Sequence, residues 1–429
     1  MTLVTRGGLF ALSLATNVIL ARSLGPERRG IYAVAVLIPS ILTLLTSLGI
    51  GAANVFYISR ATLDKRLVVG VSIAAAVVLG AIAYGLLVLV MALTGWRTLI
   101  GIDDRYLLLA ATSTPFALAA AFMQGVLQGE GRFRDFNAVL LCQYVSLTAF
   151  LAIMLLVPGD HLFGSIGAWT ASTVLTGLVG VALVGRHTQI SFSVDQATAK
   201  TLVRYGGVVY LSTLSSFLNY RFDLLLVNAF AGATQAGLYA VGAGLAEVIW
   251  FLPNSASIVL APRVAAAHEE VSADLASRAT RSVLALTVAS ALLLAAIAPA
   301  AINIFFGSAF ASSAVAVWLL LPGIVTFSAW KMMSSYLLGR SLLKQDLLAA
   351  VAAMVVTIAL DLTLIPHYGF RGAAVASSIA YTIAMLVDLL WVRRRSRLSI
   401  AKWLIAVPAD AEPVVARIRA RLVKTGAGG

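Results

Sequence analysis

The chain has 429 residues, of which 60% are hydrophobic and only 11% are charged, and its mean hydropathy is +0.96. Soluble globular domains are about half apolar and about a quarter charged, so this composition excludes that class and indicates an integral membrane protein. A net charge of +13 would suit a nucleic-acid partner in a soluble chain. In a membrane protein the positions of the basic residues matter more, and we expect no nucleic-acid binding.

Long continuous apolar runs follow one another along the chain, each long enough for a helix that crosses a bilayer with about 20 residues. The first run has no small-residue cleavage pattern after it, so we interpret it as a retained span and not as a signal peptide. The predicted spans are twelve, at about 4–24, 31–58, 67–95, 106–128, 136–157, 164–185, 204–230, 236–260, 281–306, 312–338, 346–365 and 370–392.

The connections between these spans predict the domain organisation and the orientation. The longest one divides the chain into a six-helix bundle at 1–185, a linker at 186–203, a second six-helix bundle at 204–392 and a basic tail at 393–429. Lys and Arg outside the spans are more numerous on the side that holds the N-terminus, which predicts that both termini are cytoplasmic in a bacterial inner membrane. An even number of spans per half predicts a pseudo-two-fold axis along the membrane normal.

An internal echo supports this duplication. GPERRGIYAV at 25–34 and GATQAGLYAV at 232–241 share a pattern of glycines followed by Tyr-Ala-Val, at an offset of 207 residues. GSIGAWTAS at 164–172 matches GFRGAAVAS at 369–377, and Pro115 matches Pro322. We interpret the first echo as the tight turn of a duplicated helical hairpin, with Arg28 and Arg29 in a short outer loop.

Ionisable residues inside spans carry the predicted chemistry, because a charge at the centre of a membrane helix costs about 2.5–3.5 kcal/mol on insertion scales. Arg221 and Lys331 are predicted to hold an anionic group such as pyrophosphate in a cavity, with Asn17 and Gln124 as polar contacts. Glu247 and Asp223 are predicted counter-ions or ion-coupling sites. Internal ion pairs that pin helices together are the alternative for all four charges.

Other polar features have structural interpretations. Asp361 and Asp388 lie near predicted span ends, where we expect them to reach water or the basic RRRSR segment. In the tail, Val414, Val415, Ile418 and Leu422 share one helical face flanked by basic residues, which is typical of a helix lying on anionic lipid. A single cysteine, Cys142, and four scattered histidines predict no disulfide, no metal site and no cofactor.

Three stretches resemble one family. ILARSLGPERRGIYAVAVLIP, LQGEGRF and NYRFDLLLVNAFAGATQAGLYAVGAGLAEVIWFLPNSASIVLAPRVA are similar to bacterial polysaccharide-export flippases of the multidrug/oligosaccharidyl-lipid/polysaccharide (MOP) superfamily. The resemblance implies an all-α fold with two six-helix bundles around a cationic cavity, and alternating access. The matching positions are Arg22, Gly25, Pro26, Gly30, Tyr32, Arg221, Asp223, Gly237, Tyr239, Glu247 and Pro262.

The function implied by this resemblance is transfer of undecaprenyl-diphosphate-linked oligosaccharide from the cytoplasmic to the outer leaflet for polysaccharide biosynthesis. Membrane lipids and polysaccharide polymerases or glycosyltransferases are the expected partners. Because no Gly-Lys dipeptide occurs, the chain has no Walker A loop and is not itself a P-loop ATPase. We expect a transporter and no enzyme activity. The alternatives are a drug/cation antiporter of the same superfamily, a membrane polymerase or glycosyltransferase, and an assembly scaffold.

Overall fold

A computed structural model describes residues 3–94, 101–189 and 195–405, and these ranges contain helices but no strand. The long helices overlap the predicted apolar runs, although the helices that start at Gln196 and Glu269 begin before the predicted spans at 204 and 281. Their bounds are α1 Leu3–Thr46, α2 Ile50–Ser59, α3 Lys65–Leu93, α4 Asp104–Ala111, α5 Thr114–Gly129, α6 Phe133–Met154, α7 His161–Gly185, α8 Gln196–Ala231, α9 Ala233–Ala246, α10 Phe251–Ala266, α11 Glu269–Phe305, α12 Ser313–Gly339, α13 Leu343–Tyr368, α14 Phe370–Ser396 and α15 Ile400–Leu404. Short 3-10 turns lie at Glu247–Trp250 and Ser308–Phe310.

Ten stretches of the described helices are long and apolar enough to cross a membrane. The first, Ala11–Thr46, overlaps two of the predicted spans, 4–24 and 31–58, with the bend of α1 at Gly25 between them. The 36-residue helix α8 covers a further predicted span. The prediction of an all-α membrane protein with about twelve spans is therefore confirmed. The predicted basic amphipathic helix at 414–422 lies outside the described residues.

Several predicted boundaries were wrong. The helix continues directly after Gly25, so residues 26–30 are helical and do not form an outer loop. The predicted second span, 31–58, is broken at Ser47–Gly49, after which α2 begins separately. Residues 26–30 are PERRG, and this charged segment was predicted as a loop because it interrupts the apolar pattern. The break at 47–49 lies inside an apolar run, which is why hydropathy alone did not locate it.

The chain divides into two compact units. The first contains residues 1–241 with 303–311, and the second contains 242–302 with 312–429. In the first unit α5 packs against α2, α3 and α7, and α6 packs against α7. In the second unit α14 packs against α12 and α13, and α10 packs against α12. The predicted boundary at the 186–203 linker stays a prediction.

The first sequence echo adopts the same backbone in both copies. Gly25 has φ 70° and ψ 175°, and Gly232, 207 residues later, has φ 86° and ψ 169°. Residues with a Cβ atom rarely adopt these backbone angles, whereas glycine adopts them without steric cost. Glycine at this position therefore allows one helix to end and the next to begin without a loop. Our interpretation of the echo as a duplicated turn agrees with this geometry.

The two echoed segments also pack against each other through their second glycines. A Cβ atom on Gly30 would lie 1.8 Å from the carbonyl oxygen of Ala233, and one on Gly237 would lie 1.9 Å from that of Pro26. The backbone nitrogens of Gly30 and Gly237 are each close to the other residue's Cβ position. Small residues permit such close approach of membrane helices. The contact is reciprocal, as a local two-fold relation between the hairpins requires.

A second repeated feature shows that the offset changes along the chain. The α5–α6 turn has Gly131 at φ 71°, and the α12–α13 turn has Ser341 at φ 61°, which is an offset of 210 residues. The helices before these turns end at Gly129 and Gly339, with the same offset. Counted from these turns, Gln124 corresponds to Ser334, whereas the offset of 207 in the first echo would pair Gln124 with Lys331.

Candidate functional site

The first copy of the hairpin buries a cation. Arg29 lies on α1 after the bend and is 7% exposed, although it had been predicted in an outer loop. Its Nη2 donates a hydrogen bond of 2.9 Å to Oδ1 of Asn17, which lies before the bend, and its guanidinium carbon is 5.4 Å from the centre of the Tyr32 ring. The Asn17 amide nitrogen donates to the carbonyl oxygen of Ser13 at 2.9 Å, which fixes the orientation of the amide.

One donor of this guanidinium remains available. The Arg29 Nε is buried and has no hydrogen-bond partner among the described residues. Burying a donor without a partner costs about 1–3 kcal/mol, and more when the group is charged. A guanidinium held at one edge by Asn17 therefore keeps one buried donor that no described residue satisfies.

The second copy of the hairpin buries an anion. Asp223 on α8 is 4% exposed and accepts a hydrogen bond from the hydroxyl of Tyr239 on α9, which is 3% exposed. Tyr32 and Tyr239 are equivalent at the offset of 207, and each lies two residues after the glycine of the Gly30–Gly237 contact. Equivalent tyrosines therefore face opposite charges, which are Arg29 in the first copy and Asp223 in the second.

The other predicted site residues are distributed over both units. Arg221 on α8 and Gln124 on α5 are half-buried in the first unit. Glu247 is half-buried in a 3-10 turn of the second unit. Lys331 on α12 is half-buried in the same unit and interacts electrostatically with Asp346 on α13. A common cavity for Arg221 and Lys331 stays a prediction.

The expectation that Asp361 and Asp388 reach water was wrong. Both side chains are 0% exposed, because helices α13 and α14 extend beyond the predicted span ends and the two residues lie on their buried faces. The sequence analysis also missed Arg29, Tyr239 and Asp346 as members of polar clusters. The repeat offset contained a signal for Tyr239, because Tyr32 occupies the equivalent position next to a basic residue.

Arg22, a position of the family pattern, contacts a helix end. Its Nε donates to the carbonyl oxygen of Phe305 at 2.8 Å, and its Nη2 donates to the carbonyl oxygen of Ile304. Both acceptors belong to the last turn of α11, where the helix dipole favours a cation. Arg22 therefore joins α1 to the C-terminal end of α11 within the first unit.

A separate polar cluster connects α4 with the start of α7. Asp160 accepts a hydrogen bond from the Leu162 backbone N–H at 3.1 Å and one from the Tyr106 hydroxyl at 3.1 Å, and Arg105 lies 3.5 Å away. Partial burial acts to raise the pKa of Asp160, but these hydrogen bonds and Arg105 outweigh it and hold the pKa below its usual value.

Comparisons with known proteins identify the family. The model of the polysaccharide biosynthesis protein family matches residues 2–268. The succinoglycan biosynthesis transport protein ExoT of Rhizobium meliloti is 26% identical over 250 residues, which are 58% of this chain and 49% of ExoT. The chain thus spans about half the length of that relative. The uncharacterized membrane protein MJ1375 of Methanocaldococcus jannaschii is 20% identical over 290 residues, which are 64% of this chain and 68% of that protein.

Solved structures show the fold. An inward-facing multidrug resistance MATE family transporter of the MOP superfamily has a TM-score of 0.74 at 18% identity, covering 91% of this chain and 94% of that structure. The lipid II flippase MurJ in an inward closed conformation also has a TM-score of 0.74, at 15% identity, covering 91% of this chain and 87% of that structure. The family match extends over more than half of the chain and agrees with the resemblance of the echoed hairpins, so this membrane protein belongs to the polysaccharide biosynthesis protein family, and its fold is similar to those of the two solved structures.

Proposed function

We propose that the protein moves a lipid-linked oligosaccharide from the cytoplasmic to the outer leaflet, with Arg29 binding the diphosphate that joins the sugar to its polyprenyl chain. The observation that carries this proposal is the buried Nε of Arg29, which has no partner among the described residues. The family match and the similarity to a succinoglycan transport protein support a saccharide substrate.

The geometry around Arg29 suits a diphosphate. Guanidinium groups bind phosphate oxygens through parallel N–H donors, and such charge-assisted hydrogen bonds are about twice as strong as neutral ones. Asn17 holds one edge of the group, and Tyr32 limits its movement on another side. Arg221 and Gln124 stay proposed contacts for the rest of the head group.

The apolar outer surfaces suit the polyprenyl chain. Helix α3 exposes Val77, Val78 and Leu89 by more than half of their surface, and only 22% of its most apolar stretch is buried. Such a surface lies against lipid tails. We propose that the polyprenyl chain stays among these tails while only the charged and saccharide parts enter the protein.

A drug/cation antiporter is the second candidate, favoured by the buried Asp223 and by the fold shared with a multidrug transporter. A carboxylate would attract a cationic drug, whereas Arg29 would repel it. Because the hairpin of the first copy presents a cation with an available donor, we favour the anionic substrate.

The experiment compares two neighbouring arginines. Purified protein is reconstituted into liposomes with a fluorescent polyprenyl-diphosphate oligosaccharide, and appearance of the sugar in the opposite leaflet is followed with a lectin. Arg29→Ala should lower transfer by on the order of 10- to 100-fold, the equivalent of about 1.5–3 kcal/mol for a hydrogen bond to a charged group. Arg29→Lys should recover only part of this loss, because lysine lacks the planar fork.

Arg28→Ala is the matched control, because Arg28 is adjacent but exposed, and it should transfer at the wild-type rate. Equal loss in both variants, or full activity of Arg29→Ala, would contradict the assignment. If the wild-type protein transfers no oligosaccharide but gives drug resistance to a pump-deficient host, the antiporter function is correct. Elongation of the saccharide by purified protein would instead indicate a polymerase or glycosyltransferase.

A further inference from the structure

The chain leaves helix α14 through a hydrogen-bonded turn. Helix α14 ends at Ser396, and the next residue, Arg397, has a left-handed φ of 57°. The backbone N–H of Arg397 donates a hydrogen bond of 3.0 Å to the carbonyl oxygen of Arg393. Ser399 then begins the short helix α15, because its hydroxyl oxygen accepts a hydrogen bond of 3.3 Å from the Lys402 backbone N–H. The segment after α14 therefore has a defined backbone path.

Trp403 anchors this segment to the second unit. Its side chain is 0% exposed, and its indole Nε1 donates a hydrogen bond of 3.2 Å to the hydroxyl oxygen of Ser396. The centre of its ring system lies 5.5 Å from that of Tyr336 on α12. Arg281 on α11 donates a hydrogen bond to the carbonyl oxygen of Lys402. Helices α11, α12 and α14 together hold the segment, so the side chains that it exposes also have fixed attachment points.

The exposed side chains of this part of the chain are basic. Between Asp388 and Asp410 the sequence contains five basic residues and no acidic residue. All five basic residues are exposed, and they are Arg393, Arg394, Arg395, Arg397 and Lys402. Arg395 forms a salt bridge of 3.0 Å with Glu269, whereas the other four form no ion pair within the described ranges. We call Arg393, Arg394, Arg397 and Lys402 the α14–α15 basic surface.

This surface lies at the end of a membrane span. Helix α14 is long and apolar enough to cross a bilayer, and Arg393 and Arg394 lie in its last turn. The guanidinium carbon of Arg394 is 5.8 Å from the centre of the Trp391 ring, and tryptophan is enriched where spans meet the lipid headgroups. On α15 and directly after it, Ile400 and Ile405 are 42% and 62% exposed. Cationic and exposed apolar side chains occur together in segments that lie at the boundary between headgroups and acyl chains.

We propose that the α14–α15 basic surface binds the headgroup phosphates of anionic phospholipids, and that Trp403 holds this surface in place. Guanidinium groups bind phosphate oxygens through parallel N–H donors. Basic clusters of about four to eight residues beside a membrane helix are typical of anionic-lipid binding. The lipid site and the proposed flippase function can be tested separately, because Arg29 belongs to the first unit and this surface to the second.

Native mass spectrometry of the purified full-length protein tests the site. The protein in detergent is titrated with phosphatidylglycerol or with phosphatidylcholine of the same acyl chains, and the ratio of the two dissociation constants gives the preference for anionic lipid. Each cation near an anionic headgroup contributes a factor of about five to binding. Arg393→Gln/Arg394→Gln/Arg397→Gln should therefore reduce the wild-type preference for phosphatidylglycerol by at least about fivefold.

A charge-matched variant is the control. Arg66→Gln/Arg134→Gln/Arg186→Gln removes three exposed cations from the first unit and should keep the wild-type preference. Equal losses in the two triple variants would mean that the lipid responds only to total charge, which would overturn the site. Absence of any preference for phosphatidylglycerol in the wild type would overturn it as well.

Trp403→Ala tests the anchor, because it keeps every cation but releases the segment. The preference should fall in this variant, since a site that is fixed before binding loses less conformational entropy when the lipid binds. Trp403→Phe retains an aromatic ring beside Tyr336 and should keep most of the preference. A wild-type preference in folded Trp403→Ala would overturn the role of the anchor.

Fluorescence quenching locates the lipid without changing Trp403. Full-length protein is placed in liposomes of both lipids, of which only one carries bromine on its acyl chains, and the Trp391 signal is the difference between the wild type and Trp391→Phe. Brominated phosphatidylglycerol should quench Trp391 more strongly than the same fraction of brominated phosphatidylcholine, because Arg394 lies beside this ring. Equal quenching by the two lipids would contradict the site. None of these measurements requires transfer of an oligosaccharide, so an inactive flippase assay leaves their result decisive.

Discussion

The close contact between Gly30 and Gly237 allows the cost of adding a side chain at this position to be predicted. In Gly237→Ala, the new Cβ would lie 1.9 Å from the carbonyl oxygen of Pro26, whereas real Cβ atoms keep at least 3.0 Å, so the helices must separate by about 1 Å. The obstacle is backbone, which cannot rotate away. Overpacking of this kind costs about 1–3 kcal/mol, and we expect the upper part of that range.

Gly244→Ala is the control on the same helix, because no heavy atom lies within 4 Å of its Cβ position. Replacing a helical glycine by alanine in open space stabilises by about 0.5–1 kcal/mol, so the difference between the two variants isolates the overpacking cost. Thermal unfolding of the purified proteins in detergent measures it. Equal midpoints for Gly237→Ala and Gly244→Ala would refute the contact.

The double variant Gly30→Ala/Gly237→Ala extends this test. Once the first alanine has separated the helices, part of the space for the second alanine is already open. The loss of stability in the double variant should therefore be smaller than the sum of the losses in the two single variants. Additive losses would mean that the two glycines pack against different neighbours.

Three further predictions concern turns and polar pairs. Ser341→Gly should stabilise the protein and Gly131→Ala should destabilise it, each by about 1 kcal/mol, because both positions have left-handed φ; thermal unfolding of the pair checks the opposite signs. The pKa of Asp160 is lower in the folded protein than in the unfolded chain. Its contribution to stability is therefore present above the usual pKa near 3.8 and is lost as the pH falls through the pKa of the folded state. In Asp160→Asn, the thermal unfolding midpoint should lose this part of its dependence on acid pH. Tyr239→Phe should destabilise the protein by about 1–3 kcal/mol, because it leaves the buried carboxylate of Asp223 with one hydrogen-bond donor fewer. When Tyr239→Phe is combined with Asp223→Asn, a double-mutant cycle of thermal unfolding should show that the two effects are not additive.

Hydropathy and the repeat predicted much of the fold. The spans, their approximate number and the duplicated hairpin follow from periodic apolar runs and from glycines at matched positions. The bends at Gly25 and Gly232 lie directly after the predicted span ends at 24 and 230, but hydropathy does not show that each connection is made by a single glycine. Residues 26–30 were predicted as a loop because the sequence PERRG is polar and charged, whereas in the structure they form the first turns of the helix after Gly25.

The polar clusters were harder to predict because membrane charges are stabilised by distant partners. Asp388 was predicted near water from its distance to RRRSR, yet α14 continues to Ser396 and buries it. Arg29 was counted with its neighbour Arg28 as a loop residue, although a rotation of about 100° separates them on a helix. Only the three-dimensional packing decides which of two adjacent arginines faces the interior.

Duplication followed by divergence explains how one hairpin can serve two purposes. The repeated elements, which are the positive-φ glycine, the contact glycine and the tyrosine, keep the same positions because they shape the backbone and the packing between hairpins. The charges differ, because a cation stands beside Tyr32 and an anion beside Tyr239. A symmetric pair of cations would bind a diphosphate more tightly but would also hinder its release, since each charge strengthens the bound state. In the proposed function, a single guanidinium donor, balanced by an acid that is already hydrogen-bonded, would allow the protein to bind a diphosphate and then release it.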